Sequence, residues 1–165
     1  MDNKDLANAL DRSANYEAYI ASMNNAELIT IITNLNNLDE VTTALTELSI
    51  REKEVALPYC LKILEEDLGD EFLQAVAFNL LYEGDHEKAK EIITKKLTNA
   101  TTALIGAIMD NLSTDSLQPF GESLSTEFLN AILEKYLDLS DADKERIHDN
   151  YEWFKVSFEK KLSIM

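Results

Sequence analysis

Cysteine occurs once in the 165 residues, histidine twice, proline twice and glycine four times. Each scarcity removes a class of chemistry. The lone thiol, Cys60, has no second cysteine with which to form an internal disulfide or a Cys-x-x-Cys metal or redox site. Two histidines, His86 and His148, leave little for general-base or metal-ligand work. There is no Gly-rich phosphate loop, no Gly-x-Ser-x-Gly elbow and no His-Glu-x-x-His pair. The sequence is therefore read as non-enzymatic, with no cofactor and no metal. No run reaches the ~20 apolar residues that cross a bilayer, and the opening MDNKDLANAL lacks the basic start and apolar centre of a signal peptide. A cytoplasmic location without a membrane partner is expected. Cations are scarce as well: 15 Lys and Arg stand against 31 Asp and Glu, a formal net charge of −16. Nucleic acid is excluded as a first partner, because phosphate contacts need a basic excess.

The hydrophobic content, 45%, is enough to build a core at this length, and a single domain over residues 1–165 is expected. Apolar residues recur at helical spacing, so the fold class is all-α. Residues 26–37 place Leu28, Ile31, Ile32 and Leu35 on one face, with Asn24 or Asn25 as cap. Residues 39–51 repeat this with Val41, Ala44, Leu45 and Leu48, and residues 57–68 with Leu57, Cys60, Leu61, Leu64 and Leu68, Pro58 fitting a first turn. From Asp70 to Tyr82 the apolar surface widens, which predicts the most buried helix, ended by Gly84. Asp85 is placed to cap the next helix, which carries Ala89, Ile92, Ile93 and Leu97, and residues 100–112 follow. Residues 113–123, with Pro119 and Gly121, read as the longest irregular connection and a mobile loop. A helix from Ser125 and a long final one from Ser140, with Ile147, Tyr151, Phe154, Phe158 and Leu162 in line, complete the pattern. The first twenty residues carry Leu6, Leu10, Tyr16, Tyr19 and Ile20 and read as one or two further helices.

Asp39, Asp70 and Asn99 each precede a helix, at separations of 31 and 29 residues. Such spacing predicts a short α-solenoid-like, right-handed stack of antiparallel helix pairs, about eight to ten helices in all, in preference to a closed bundle. The period is shorter than that of a usual HEAT repeat.

Two Glu-x-x-His spacings, Glu83 to His86 and Glu145 to His148, match half of a di-iron carboxylate site. Gly84 and Asp85 interrupt the first, so solvent-facing histidines near helix starts are the favoured reading. The run EEDLGDE puts Glu65, Glu66, Asp67, Asp70 and Glu71 within seven residues but lacks the alternating ligands of a calcium loop. Its structural reading is a solvated helix end with Asp70 capping and Glu71 complementing the helix dipole; its functional reading is an anionic patch for a cationic surface. Trp153 is read as core in preference to a partner anchor. Charge is spread along the chain, −6 over residues 1–50, −4 over 51–100 and −6 over 101–165, so the field surrounds the fold.

In size, acidity, helix-pair layout (39–51 with 57–68, then 70–82 with 86–97) and missing active-site motifs, the chain resembles the small α-helical, HEAT-like immunity proteins that protect bacteria from their own toxins. The resemblance implies stoichiometric binding to a cognate protein toxin domain, a nuclease with a basic cleft being one such target, and rests on no residue-level motif. The contact patch assigned on this basis is Glu65, Glu66, Asp67, Asp70 and Glu71, extended by Glu83 and Asp85 if successive turns line up along one edge. The alternative is a HEAT-like adaptor or scaffold with no toxin partner.

Overall fold

The computed structural model describes residues 16–162, all of whose regular structure is helical. The order is α1 (16–22), α2 (Asn25–Asn34), α3 (Leu38–Arg51), α4 (Lys53–Glu65), α5 (Glu71–Gly84), α6 (His86–Lys96), a 3-10 turn (Leu97–Asn99), α7 (Thr102–Thr114), α8 (Pro119–Ser123), α9 (Thr126–Leu137), α10 (Asp141–Arg146) and α11 (His148–Ser157). Of the N-terminal apolar residues, Leu6 and Leu10 lie outside the described residues, while Ile20 on α1 is fully buried.

Each amphipathic helix buries one stripe against its neighbours, and the pattern of neighbours is that of a two-layer stack. Helices α3, α5, α7 and α11 touch in succession and form one layer; α2, α4 and α6 flank them as the other, with α9 against α7 and the 3-10 turn. Val41, Ala44, Leu45 and Leu48 of α3 are completely buried, as are Leu73, Ala77, Phe78 and Leu81 of α5. Each such Leu or Phe contributes on the order of 1.5–3 kcal/mol through removal from water. The most deeply buried helix is α7, with Leu104, Ile105, Gly106, Ile108, Met109 and Leu112 all inside. Helix α5, given that place by its apolar content, leaves Phe72 63% exposed on the outer side of a first turn whose Leu73 and Gln74 are buried.

Capping residues act where the sequence places them. Asn24 forms a reciprocal capping box with Glu27, and Asp70, Asp85, Ser125 and Ser140 accept from the backbone amides of Leu73, Lys88, Phe128 and Asp143. The α4–α5 link closes α4 with Leu68 N–H donating to Ile63 O at 2.9 Å and left-handed Asp67 and Gly69, at φ 52° and 74°.

Three local expectations are corrected. Helix α4 begins at Lys53, so Pro58 sits inside it and not in its first turn, and the carbonyl of exposed Glu54 loses the amide donor that another residue at 58 would supply. The segment 113–123 is mostly helical: α7 runs to Thr114 and α8 starts at Pro119, whose fixed φ suits a first helical position. The turn between them is so tight that a Cβ at Gly121 would lie 2.1 Å from Asp115 O. The final long helix is broken at Ile147, at φ −125° and ψ 26°, into α10 and α11. The break turns Ile147 onto Gly106, where a Cβ would be 3.0 Å from Ile147 Cγ2, while Phe154 stays fully buried.

Five of the cations are engaged with backbone carbonyls at or near helix ends. Arg51 donates to Ala21 O and Met23 O after α1, Lys96 to Glu65 O at the end of α4, Lys53 to Glu83 O at the end of α5 and Lys135 to Thr98 O of the 3-10 turn. Lys161 Nζ bonds Gly121 O, Glu122 O and Leu124 O at 3.3, 2.6 and 3.2 Å around the end of α8. Positive charge at helix C-termini complements the macrodipole.

Candidate functional site

The seven carboxylates assigned from sequence fall at two ends of one helix. Glu65, Glu66, Asp67, Asp70 and Glu71 surround the α4–α5 link, whereas Glu83 and Asp85 lie at the far end of α5. The 14 residues of α5 separate them by about 20 Å at 1.5 Å per residue. Antiparallel connection places successive turns on opposite edges, so the two groups do not join into one row. Within the first group most charges already have partners. Glu65 pairs with Lys95 at 3.7 Å and Asp67 with Lys96 at 2.8 Å. Asp70 caps α5 at 2.9 Å from Leu73 N. Glu71 pairs with Arg146 through one oxygen and accepts from Ala103 N–H through the other at 3.3 Å. Glu66 makes no ion pair among the described residues. Asp85 is an N-cap beside Lys88, and the hydrogen bond from Lys88 N–H, more than any other influence, holds its carboxyl below the usual value.

Glu83 belongs to a different feature. Between α5, α7 and the α10–α11 break runs a cleft of about 440 Å³, lined by Asn79 and Glu83 from α5, Asp110, Asn111 and Thr114 from α7, and Asn150 from α11. Ala103, Gly106 and Ala107 also line it, and the absence of side-chain bulk at these three positions leaves room for this open groove. Asn111 donates both amide hydrogens inward, to Asn79 Oδ1 at 2.7 Å and to Ala107 O at 2.8 Å. Its own Oδ1 is left as an acceptor. Neither Glu83 nor Asp110 makes an ion pair among the described residues, although the Lys53 ammonium lies 3.3 Å from the Glu83 backbone carbonyl, so the cleft carries two carboxylates without a directly paired cation. Beyond Asn150, Trp153 follows three residues later on the same flank of α11 and is 47% exposed, which corrects the core assignment. Neighbouring Phe154 takes the buried position, in line with Ile147, Tyr151 and Phe158 on the face of the segment that meets the core.

At the α5–α6 junction, His86 keeps its side chain 43% exposed, as expected of a histidine near a helix start, and yet has ring partners. Its ring stacks on Phe120 of α8 at 4.8 Å and meets Tyr82 edge-on at 4.6 Å, with Nε2 3.1 Å from Asp115 Oδ2. Burial first, and the Asp115 carboxylate second, push the Tyr82 phenol well above its ordinary value. His148 remains exposed at the start of α11. Among the described residues no three His, Cys, Asp or Glu side chains are grouped so as to hold a metal ion. No helix of the described residues is long and apolar enough to cross a membrane.

Asn79, Asp110, Asn111 and Asn150 were not singled out by sequence reasoning. The one sequence signal pointing to them is polarity at positions of α5, α7 and α11 that otherwise carry apolar neighbours. No protein-family model matches the chain, and no curated protein is significantly similar to it.

Proposed function

We propose that this chain is a non-catalytic immunity protein that binds a cognate bacterial toxin domain stoichiometrically, through carboxylates that meet a basic surface on the toxin. The observation that carries this reading is the surplus of negative charge with no internal counterpart. Glu66, Glu83, Asp110, Glu134, Asp138 and Glu145 make no ion pair among the described residues, while Arg51, Lys53, Lys96, Lys135 and Lys161 donate to backbone carbonyls. An anionic field of this kind speeds encounter with a cationic partner and adds nothing to folding. The test is co-expression with the product of the neighbouring reading frame, assayed for toxicity: growth rescue together with a one-to-one complex supports the reading, and the absence of both overturns it.

A scaffold role is the second reading, favoured by one observation. A separate groove of about 570 Å³ lies between α1 and α3, lined by Glu17, Ala18, Thr42, Thr46 and Ile50. A protein bridging two partners would use both grooves, and substitutions in the α1–α3 groove would then abolish one partner without affecting the other.

A further inference from the structure

We infer that the cleft between α5, α7 and α11 is the docking site for an arginine side chain projecting from a partner protein. The inference rests on the binding-protein reading above and specifies which surface does the binding and what it recognises.

Charge and hydrogen-bonding inventory point to the ligand class. Asn111 uses both its donors internally, so what it offers the cleft is Oδ1. The carboxylates of Glu83 and Asp110 offer acceptors only when ionised. Asn150 lies beside Gly106, its Oδ1 3.6 Å from where a Cβ of that glycine would be. Asn79 and Asn150 each also bring a side-chain amide donor, so the lining is mixed in hydrogen bonding, and it is the two carboxylates, with Asn111 Oδ1, that favour a cationic occupant rich in N–H groups. A guanidinium meets that description better than an ammonium, because its five donors lie in one plane and match carboxylate and amide oxygens pairwise. A volume of about 440 Å³ admits a long side chain with its flanking backbone and is too small for a folded element. Trp153, 47% exposed one helical turn after Asn150, does not line the cleft itself, and a guanidinium that also reached its ring would gain a stacking contact.

The inference is tested with the full chain and a capped peptide, Gly-Gly-Arg-Gly-Gly, titrated by NMR, with its lysine and citrulline counterparts as probes of charge and shape. The arginine peptide is expected to shift the side-chain amide resonances of Asn79, Asn111 and Asn150. Lysine binds more weakly and citrulline not measurably. E83Q with D110N weakens the arginine peptide about fivefold or more, whereas E54Q with E87Q, an equal change of net charge outside the cleft, alters it less than about twofold. Equal weakening by both pairs, shifts scattered over the whole surface, or citrulline binding as well as arginine would each overturn the inference. So would tight binding of spermidine without binding of the peptide, which would mark a small-polyamine site. Two failures stay distinguishable. If the toxin complex forms and E83Q with D110N leaves its Kd unchanged, the cleft is wrong and the immunity reading survives. If no toxin is neutralised yet the peptide maps to the cleft, the immunity reading fails and the cleft stands.

Discussion

Asn111 Nδ2 meets Asn79 Oδ1 at 2.7 Å across the α5–α7 interface, 32 residues apart in the chain. Ala103 N–H and Glu71 Oε2 bridge the same two helices at the same separation, and Lys96 reaches Glu65 O 31 residues back. Polar groups thus fix the register of neighbouring helix pairs, which apolar stripes alone would allow to slide.

Asn111→Ala removes the donor and strips Asn79 Oδ1 of its partner, so it is expected to lower stability by about 1–2 kcal/mol. Asn79→Ala is expected to cost less, since the Asn111 amide keeps its bond to Ala107 O. Urea unfolding of the two single variants and the double variant checks this, and the two losses should not add.

Gly121→Ala drives a methyl into the Asp115 carbonyl at a turn where both sides are backbone. The expected loss is about 2 kcal/mol or more, because neither group can swing aside. A drop in thermal midpoint of several degrees, with the α8 amides losing hydrogen-exchange protection, is the predicted record.

Two phenylalanines on α5 should respond oppositely. Phe78 is fully buried, and truncation to Ala is expected to cost about 3–5 kcal/mol through lost transfer and a residual cavity. Phe72, 63% exposed, should tolerate the same change within about 0.5 kcal/mol.

Cys60 is buried in the apolar core, and burial pushes its thiol up to about 12. The thiolate, which is the reactive species, is then essentially absent at neutral pH. Ellman's reagent should leave the native protein unmodified for hours and titrate one thiol once urea unfolds it.

Asp85 and Asp143 both have carboxyls held below the usual value, the first chiefly by the Lys88 amide and the second chiefly by the Ser140 hydroxyl. A depressed folded-state value contributes stability that is present above the unfolded value and is lost as pH falls through the folded one. Urea midpoints should therefore be flat through neutrality and decline below about pH 4. In Asp85→Asn with Asp143→Asn that acid decline should be shallower, since the groups that lose their advantage on protonation are gone.

The elements most legible in the sequence are those whose determinants lie within a dozen residues. Helix α3 begins one residue before the expected 39–51, and α5 matches Asp70–Tyr82 to within two residues, because stripe and cap are both local. Asp70, Asp85, Ser125 and Ser140 cap as their sequence context implies. The missed features depend on distant chain. Helix α8 forms within an apparent loop because Phe120 packs on His86 and Lys161 gathers its end carbonyls. The break at Ile147 answers to Gly106, some forty positions earlier. Likewise the run from Glu65 to Glu71 is evident as charge, but its neutralisation by Lys95, Lys96 and Arg146 is invisible until the chain has folded. The cleft draws on residues from 79 to 150 and has no contiguous signature.

The three carbonyls gathered by Lys161 have a consequence for biosynthesis. A five-residue helix cannot hold itself in water, since nucleation is costly and too few bonds follow to repay it. While the chain is still emerging from the ribosome, the end of the segment from Pro119 to Ser123 must wait for a side chain about forty residues downstream. Phe120 can meet Tyr82 and His86 as soon as it appears, whereas the end carbonyls of the segment gain their clasp only when the last stretch arrives.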